Sequence, residues 1–310
     1  MKRAKGKRAA ARIALLFSFF VLTFSFAPAC APKRGGATTR PTAYFGPTEP
    51  MVDVVNAINA NNRKLPTLWA SIREMEASIV DDRGRRHDEV LRGTVLYRSP
   101  REVSLVGTKD PVGAVVTIGS NRDTYWLVAK DPGPDTAWWG RYEHLGSDCA
   151  QPIPIRPDLI LEVLGVSAIE TDFSALPAPV MRFNPQADAY MFVWIGKLPN
   201  RFVATREIWY DRKTKRPTRV ALFDEHGRTI LSAFLSRHVP VEVPGLPEAE
   251  WPTVAGEYRL FFPDSGSRLR LAMGDVKLSN RGAPNDKTFT FVPQRAGVSK
   301  VIQLDEACGP

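Results

Sequence analysis

Hydrophobic and polar residues alternate with a period of two along most of the chain, beginning at Trp69. Over 69–80 every second position shares one face, which is the pattern of a long β-strand, and Asp81 and Gly84 then supply a turn. The same alternation, interrupted by short turns, predicts strands over 90–98, 102–106, 114–118, 124–129, 137–142, 180–183, 189–195, 202–210, 219–223, 229–235, 258–262 and 269–278. Short connections of this kind join antiparallel neighbours, so the sequence predicts a mainly β domain built on a meandering antiparallel sheet.

Two segments have a helical period instead. Apolar residues recur at helical spacing over 51–65, a stretch bracketed by two prolines. A second, short helix is predicted over 159–164, because Pro157 suits a helix start and Gly165 suits a helix end. We therefore expect a few helices packed on a large sheet.

The first 29 residues have the layout of a secretory signal peptide. Six basic residues precede an apolar run over 13–27, which small residues follow. The run is shorter than the ~20 residues of a spanning helix, which leaves an uncleaved membrane anchor as the less favoured alternative. Without these six residues, the other 36 Lys and Arg exceed the 33 Asp and Glu by only 3, so the net charge of +9 does not indicate nucleic-acid binding.

The segment Ala27-Pro28-Ala29-Cys30 resembles the lipobox of bacterial lipoproteins. The resemblance implies that Cys30 is acylated and holds the chain in a membrane. The alternative is ordinary signal-peptidase cleavage, which leaves a free thiol. Ala31 stands where Asp would retain a lipoprotein in the inner membrane, which favours the outer membrane, facing the periplasm. Residues 30–50, rich in Pro, Gly and Thr, are expected to be a tether to a domain over 51–310.

The remaining cysteines and the histidines offer little chemistry. Cys149 and Cys308 are either a disulfide, as an oxidising compartment would allow, or two free thiols, and no zinc-site spacing accompanies them. No nucleophile elbow, phosphate-binding loop or metalloprotease motif occurs, and the cluster Asp224-Glu225-His226 falls in a turn. The sequence therefore predicts no enzyme, no metal and no cofactor.

Four short motifs stand out along the predicted strands: GTVLYRSP at 93–100, SNRDTYW at 120–126, WYD at 209–211 leading to FDEHG at 223–227, and FTFVP at 289–293 before Gly297-Val298. Their order and spacing resemble the LolA/LolB lipoprotein-localisation superfamily over about residues 51–304. The resemblance implies an unclosed antiparallel β-barrel in which helices cover a hydrophobic cavity that accepts acyl chains. Soluble members are carriers, whereas receptors are themselves outer-membrane lipoproteins, and Cys30 makes this chain more similar to the receptors.

One family residue can be transferred by position. Arg98 matches a carrier arginine that helps to hold the lid over the cavity, although Ser99 separates Arg98 from the matching Pro100. The alternative is a solvated arginine at a strand end.

Large apolar side chains on the predicted strands are the candidates for the lining of such a cavity, although side chains of this kind are more often ordinary core than ligand contacts. With Arg98, the candidates are Leu96, Leu105, Trp126, Trp138, Phe192, Trp194, Phe202, Ile208, Phe223 and Phe234. The sequence thus predicts a membrane-anchored envelope protein that binds lipid or lipoprotein acyl chains and helps to localise them to the outer membrane. The alternatives are a lipid-sensing regulatory or scaffold lipoprotein with an envelope protein partner, and a hydrolase whose catalytic residues are dispersed in sequence.

Overall fold

The computed structural model describes residues 43–309 except 82, 131–132, 146 and 279–285. The predicted signal peptide, Cys30 and the tether up to residue 42 lie outside the described residues. Two α-helices are described, α1 (Met51–Asn62) and α2 (Pro157–Leu164). The strands are β1 (Thr67–Val80), β2 (Arg86–Arg98), β3 (Glu102–Lys109), β4 (Gly113–Ser120), β5 (Thr124–Ala129), β6 (Thr136–Arg141), β7 (Ala178–Asn184), β8 (Ala189–Leu198), β9 (Arg201–Asp211), β10 (Pro217–Phe223), β11 (Thr229–Ser236), β12 (Val239–Pro240), β13 (Thr253–Val254), β14 (Glu257–Phe262), β15 (Ser267–Lys277) and β16 (Lys300–Gln303).

The chain enters the main sheet at its middle. Strand β1 starts there, and β2 to β6 follow as successive antiparallel neighbours out to one side. After α2 the chain resumes at the opposite edge with β7, returns through β8, β9, β10, β11 and β14, and ends with β15 against β1. Strand β16 then pairs with β6 in parallel. The described part of the sheet thus has fourteen strands and two free edges, β16 and β7. The prediction of a mainly β fold with an unclosed antiparallel sheet and few helices is confirmed.

One face of the sheet is covered, and we call it the covered face. Alternate residues of each strand point to it, including Leu68, Ala70 and Met75 of β1, and they form one continuous apolar cluster with α1 and α2. Helix α1 contributes Val54 and Val55, which are fully buried. The opposite face, the open face, has no α-helix over it among the described residues.

Buried amides attach α1 to the segment that follows α2. Gly165, at φ 69°, ends α2 in a left-handed conformation that glycine adopts without strain. Just beyond it, Asn59 of α1 donates to the carbonyl of Ile169 at 2.8 Å and accepts from its backbone N–H at 2.7 Å. Asn62 donates to the carbonyl of Ser167 at 2.7 Å. Because these polar groups are buried with partners, they fix the position of the helical cover.

The last described residues, 286–309, return to the first half of the sheet. Cys149 and Cys308 form a disulfide with their Cα atoms 5.2 Å apart. Beside it, Asp305 is buried and accepts from Arg141 Nε at 2.7 Å. Residues 286–298 cross the open face above β4 to β6, where Phe291 packs on Trp126. We call residues 286–298 the C-terminal strap.

Candidate functional site

Five of the predicted cavity residues lie in the core on the covered face. All five are at most 7% exposed and belong to the main apolar cluster: Leu105, Trp138, Phe192, Trp194 and Ile208. The rings of Phe192 and Trp194 lie 5.9 Å apart between centroids. These side chains therefore pack against other core residues, and the structure uses them as core.

Other candidates do not share that face. The residues on either side of Leu96, Val95 and Tyr97, are the buried ones, so Leu96 points to the open face. Phe202 and Phe234 are 65% and 55% exposed. The assignment of these side chains to one interior is wrong because strand residues alternate between faces and the sequence does not show which alternate set points inward.

Trp126 and Phe223 also lie outside the main apolar cluster. Trp126 lies flat over Gly119, where a Cβ would come within 2.3 Å of the indole, and its ring stacks on Phe291 at 5.5 Å. This second, smaller cluster is separate from the main core. Phe223 is half-buried and follows Leu222, which is buried in the main core. Neither residue belongs with the five core candidates.

Arg98 contacts the C-terminal strap. Its Nη2 atom donates to Glu102 at 2.7 Å and to Asp286 at 2.8 Å, and its guanidinium lies 5.0 Å from the centre of the Phe289 ring. These contacts connect the β2–β3 hairpin to the strap. Two interpretations of Arg98 were open from the sequence, a lid contact and a solvated strand end, and neither predicted a contact with the strap.

The accessible apolar site lies on the open face, at the middle of the sheet. It is a groove of about 600 Å³ across β2, β1, β15, β14 and β11, and we call it the open-face groove. The strand register sets its side chains in two parallel rows. One row runs Val90, Glu76, Arg270, Arg259 and Phe234; the next runs Asp88, Ser78, Arg268, Phe261 and Ser232.

Apolar side chains in this groove face water. Val90 is 67% exposed, and Phe234 and Phe261 are also exposed. Exposed apolar residues are unremarkable singly, but a groove that gathers several of them beside charged groups is typical of a binding surface. Its volume lies within the ~300–1,000 Å³ of small-ligand sites.

Arginines lie beside these aromatic rings. Arg219 lies 4.9 Å from the ring centre of Trp209 and 5.7 Å from that of Phe234. Arg268 lies 5.4 Å from the ring centre of Phe261. Such cation–π contacts hold the rings in place while leaving part of each ring accessible.

A buried carboxylate organises the charged part of the groove. Glu257 is almost fully buried and pairs with Arg259 at 2.9 Å, Arg270 at 3.1 Å and Arg237 at 3.2 Å. Hydrogen bonds from Arg259 and Arg270 hold the pKa of Glu257 below its ordinary value, against the opposing effect of burial. Arg270 also pairs with Glu74 and Glu76, so three arginines and three carboxylates form a neutralised ion-pair network.

The cluster Asp224-Glu225-His226 lies in the turn between β10 and β11, as its sequence suggested. Asp224 accepts from the backbone N–H of His226 at 2.9 Å and of Arg228 at 2.8 Å. These bonds lower the pKa of Asp224, while burial acts in the opposite direction. Within the described residues, no group of three or more His, Cys, Asp and Glu side chains is placed to hold a metal ion. The same residues contain no helix long and apolar enough to cross a membrane.

Comparison with known proteins gives distant structural neighbours. No family model and no curated protein matches the sequence. The chain is similar to a LolA superfamily protein from Nitrosomonas europaea, at 14% identity and a TM-score of 0.44, over 77% of this chain and 96% of that one. It is also similar to a DUF1329 family protein from Desulfovibrio piger, at 12% identity and a TM-score of 0.45, over 78% and 98% of the two chains. The neighbours thus include a member of the superfamily that the sequence resembles; TM-scores below 0.5 mark a distant likeness, from which no binding property follows.

Proposed function

We propose that this chain is a bacterial envelope protein that binds an acyl chain of a lipid or lipoprotein in the open-face groove. Acylated Cys30 would anchor it in the outer membrane, facing the periplasm, and the bound chain would be passed on without covalent chemistry. The observation that supports this proposal is the set of exposed apolar residues Val90, Phe234 and Phe261 in one groove of about 600 Å³.

The physical driving force is transfer of methylene groups out of water. Each buried CH₂ contributes about 0.8 kcal/mol, so roughly eight to ten of them contribute about 6–8 kcal/mol. Association and ordering of the chain oppose this gain. The result is reversible binding, as a protein that hands on its cargo requires.

The position of the groove differs from the sequence prediction. The covered face was expected to hold the acyl chain, but the five candidates on that face pack into the core. The groove lies on the other side of the same sheet, where Phe234 alone among the candidates lines it. An acyl chain can bind there without displacing core side chains.

A matched pair of variants tests this proposal. The full chain carrying Cys30→Ser, which removes the proposed acylation site, is titrated with 1-palmitoylglycerol, and binding is followed by calorimetry. Phe234→Asp replaces the apolar ring with a charged group that its neighbours Arg219 and Arg259 would hold at the water-facing surface, and it should weaken binding at least about tenfold, since the acyl chain loses its apolar contact there. Phe202→Asp is the control, because Phe202 is similarly exposed but is not a groove residue. Equal loss of binding in both variants, or no binding by the parent chain, would contradict the proposal.

A further inference from the structure

The open-face groove has two arginines that its own carboxylates do not neutralise. Of its four arginines, Arg259 and Arg270 pair with Glu257. Within the described part of the chain, Arg86 and Arg268 have no carboxylate within 4.0 Å, and both are exposed. Two guanidinium groups are therefore available to a ligand.

The strand register brings these two arginines to the same end of the groove. Arg268 of β15 lies opposite Ser78 of β1, and Arg86 of β2 lies opposite Val80, two residues further along β1. The two arginines thus flank β1 from its two sides. The groove acid Asp88 also lies opposite Ser78, so the described residues at this end of the groove include two arginines and one acid that forms no ion pair with another described residue.

Arg268 also joins the charged end to the apolar part. Its guanidinium lies 5.4 Å from the ring centre of Phe261, and Phe261 is its direct neighbour on β14. One end of the groove is cationic, and the surface leading from it is apolar. This arrangement complements a molecule that has an anionic head and a hydrocarbon tail.

We propose that Arg86 and Arg268 bind the phosphate headgroup of an anionic lipid whose acyl chain lies over Phe261 and Phe234. This inference rests on the proposed function, and adds to it the chemical class of the ligand. Guanidinium groups suit a phosphate because their fixed N–H donors bind two of its oxygens at once. A free phosphate compound would contact the arginines but would leave the apolar surface uncovered, so the lipid is the expected ligand.

Two probes that differ only in the phosphate test this assignment. The full chain carrying Cys30→Ser is titrated with 1-palmitoylglycerol 3-phosphate and with 1-palmitoylglycerol. The phosphate-bearing lipid should bind at least about tenfold more tightly, the ratio that one charge-assisted hydrogen bond of average strength gives. The double variant Arg86→Gln/Arg268→Gln should lose this preference and bind the two probes with equal affinity.

The controls separate charge at this site from charge elsewhere. Arg182→Gln removes one charge from the exposed surface of edge strand β7, and should retain the preference. Glycerol 3-phosphate, which has no acyl chain, should not compete. Equal binding of the two lipids by the parent chain, an unchanged preference in the double variant, or effective competition by glycerol 3-phosphate would each overturn the assignment. Binding of neither lipid would contradict the proposed function itself.

Discussion

Removal of the disulfide between Cys149 and Cys308 should destabilise the whole domain. The bond joins residues 159 positions apart, and the enclosed stretch contains β7 to β16. In the chain-entropy model a loop of this size restricts the unfolded state enough to contribute about 5 kcal/mol. The double variant Cys149→Ser/Cys308→Ser should therefore lower the free energy of unfolding by up to about 5 kcal/mol.

Urea unfolding of the full chain measures this difference. The parent chain is compared with and without reductant, and the double variant should match the reduced parent. Cys30→Ser alone is the control and should leave the midpoint unchanged. A loss below about 1 kcal/mol would refute the reasoning, because it would mean that the cross-link restricts the unfolded chain far less than the chain-entropy model requires.

The same bond tests the proposed location. Disulfides persist in oxidising compartments and are rare in the cytoplasm. Thiol labelling of the full chain in intact cells should find Cys149 and Cys308 blocked until a reductant is added. A chain that lacks residues 1–29, the predicted signal peptide, would stay in the cytoplasm and should have both thiols free. Free thiols in the full chain would contradict export.

Three further predictions follow from the core, the buried amide and the ion-pair network. Trp194→Ala should lower the free energy of unfolding, measured in urea, by about 3–5 kcal/mol, because Trp194 is a buried core residue that contacts Phe192. A loss below about 1 kcal/mol would contradict this and show that the site is loosely packed. Asn59→Ala should lower the free energy of unfolding by about 1–3 kcal/mol, because it leaves the buried N–H and carbonyl of Ile169 without their partner. Amide hydrogen exchange should then increase in α1 before it increases in the sheet. Because the pKa of Glu257 is lowered in the folded state, its contribution to stability is complete above the unfolded pKa of about 4.3 and is lost as the pH falls below it. The thermal unfolding midpoint should therefore decrease as the pH is lowered below about 4, and this decrease should be less steep in Glu257→Gln. Identical pH profiles for the parent chain and the variant would contradict this assignment.

Local sequence pattern predicted the elements of this fold well. Strand β5 has the predicted bounds, and most other strands extend the predicted ranges by only a few residues. These strands are alternating or continuously apolar runs that end at a turn, so local information is sufficient to locate them. Strand β16 was missed because it is four residues long and pairs in parallel with a distant strand.

The face that each residue occupies was harder to predict. Strand β1 has register shifts between Ile72 and Met75, and β9 has one opposite Trp194 and Ile195. A bulge of this kind changes which alternate residues point inward. For this reason Phe202 and Ile208, which share parity along one predicted strand, differ in exposure.

The open-face groove depends on pairings that no local pattern reveals. Glu76 and Arg270 are neighbours because β1 pairs with β15, almost 200 residues later in the sequence. A local signal was nonetheless present. The alternate positions of β14 on the open face are Glu257, Arg259 and Phe261, and an aromatic residue beside two charged ones is unusual for a strand face that is only solvated. Without the strand order, that signal could not be joined to Val90 on β2.

The position of a bound acyl chain distinguishes the open-face groove from the covered face. A palmitoyl lipid carrying a photoreactive diazirine near the end of its chain is bound to the full chain carrying Cys30→Ser, irradiated, and the adducts are mapped by mass spectrometry. Adducts are expected in β14 and β11, at or beside Phe261 and Phe234, over which the acyl chain is proposed to lie. Adducts on the covered face, at Phe192 or Trp194, would contradict this expectation.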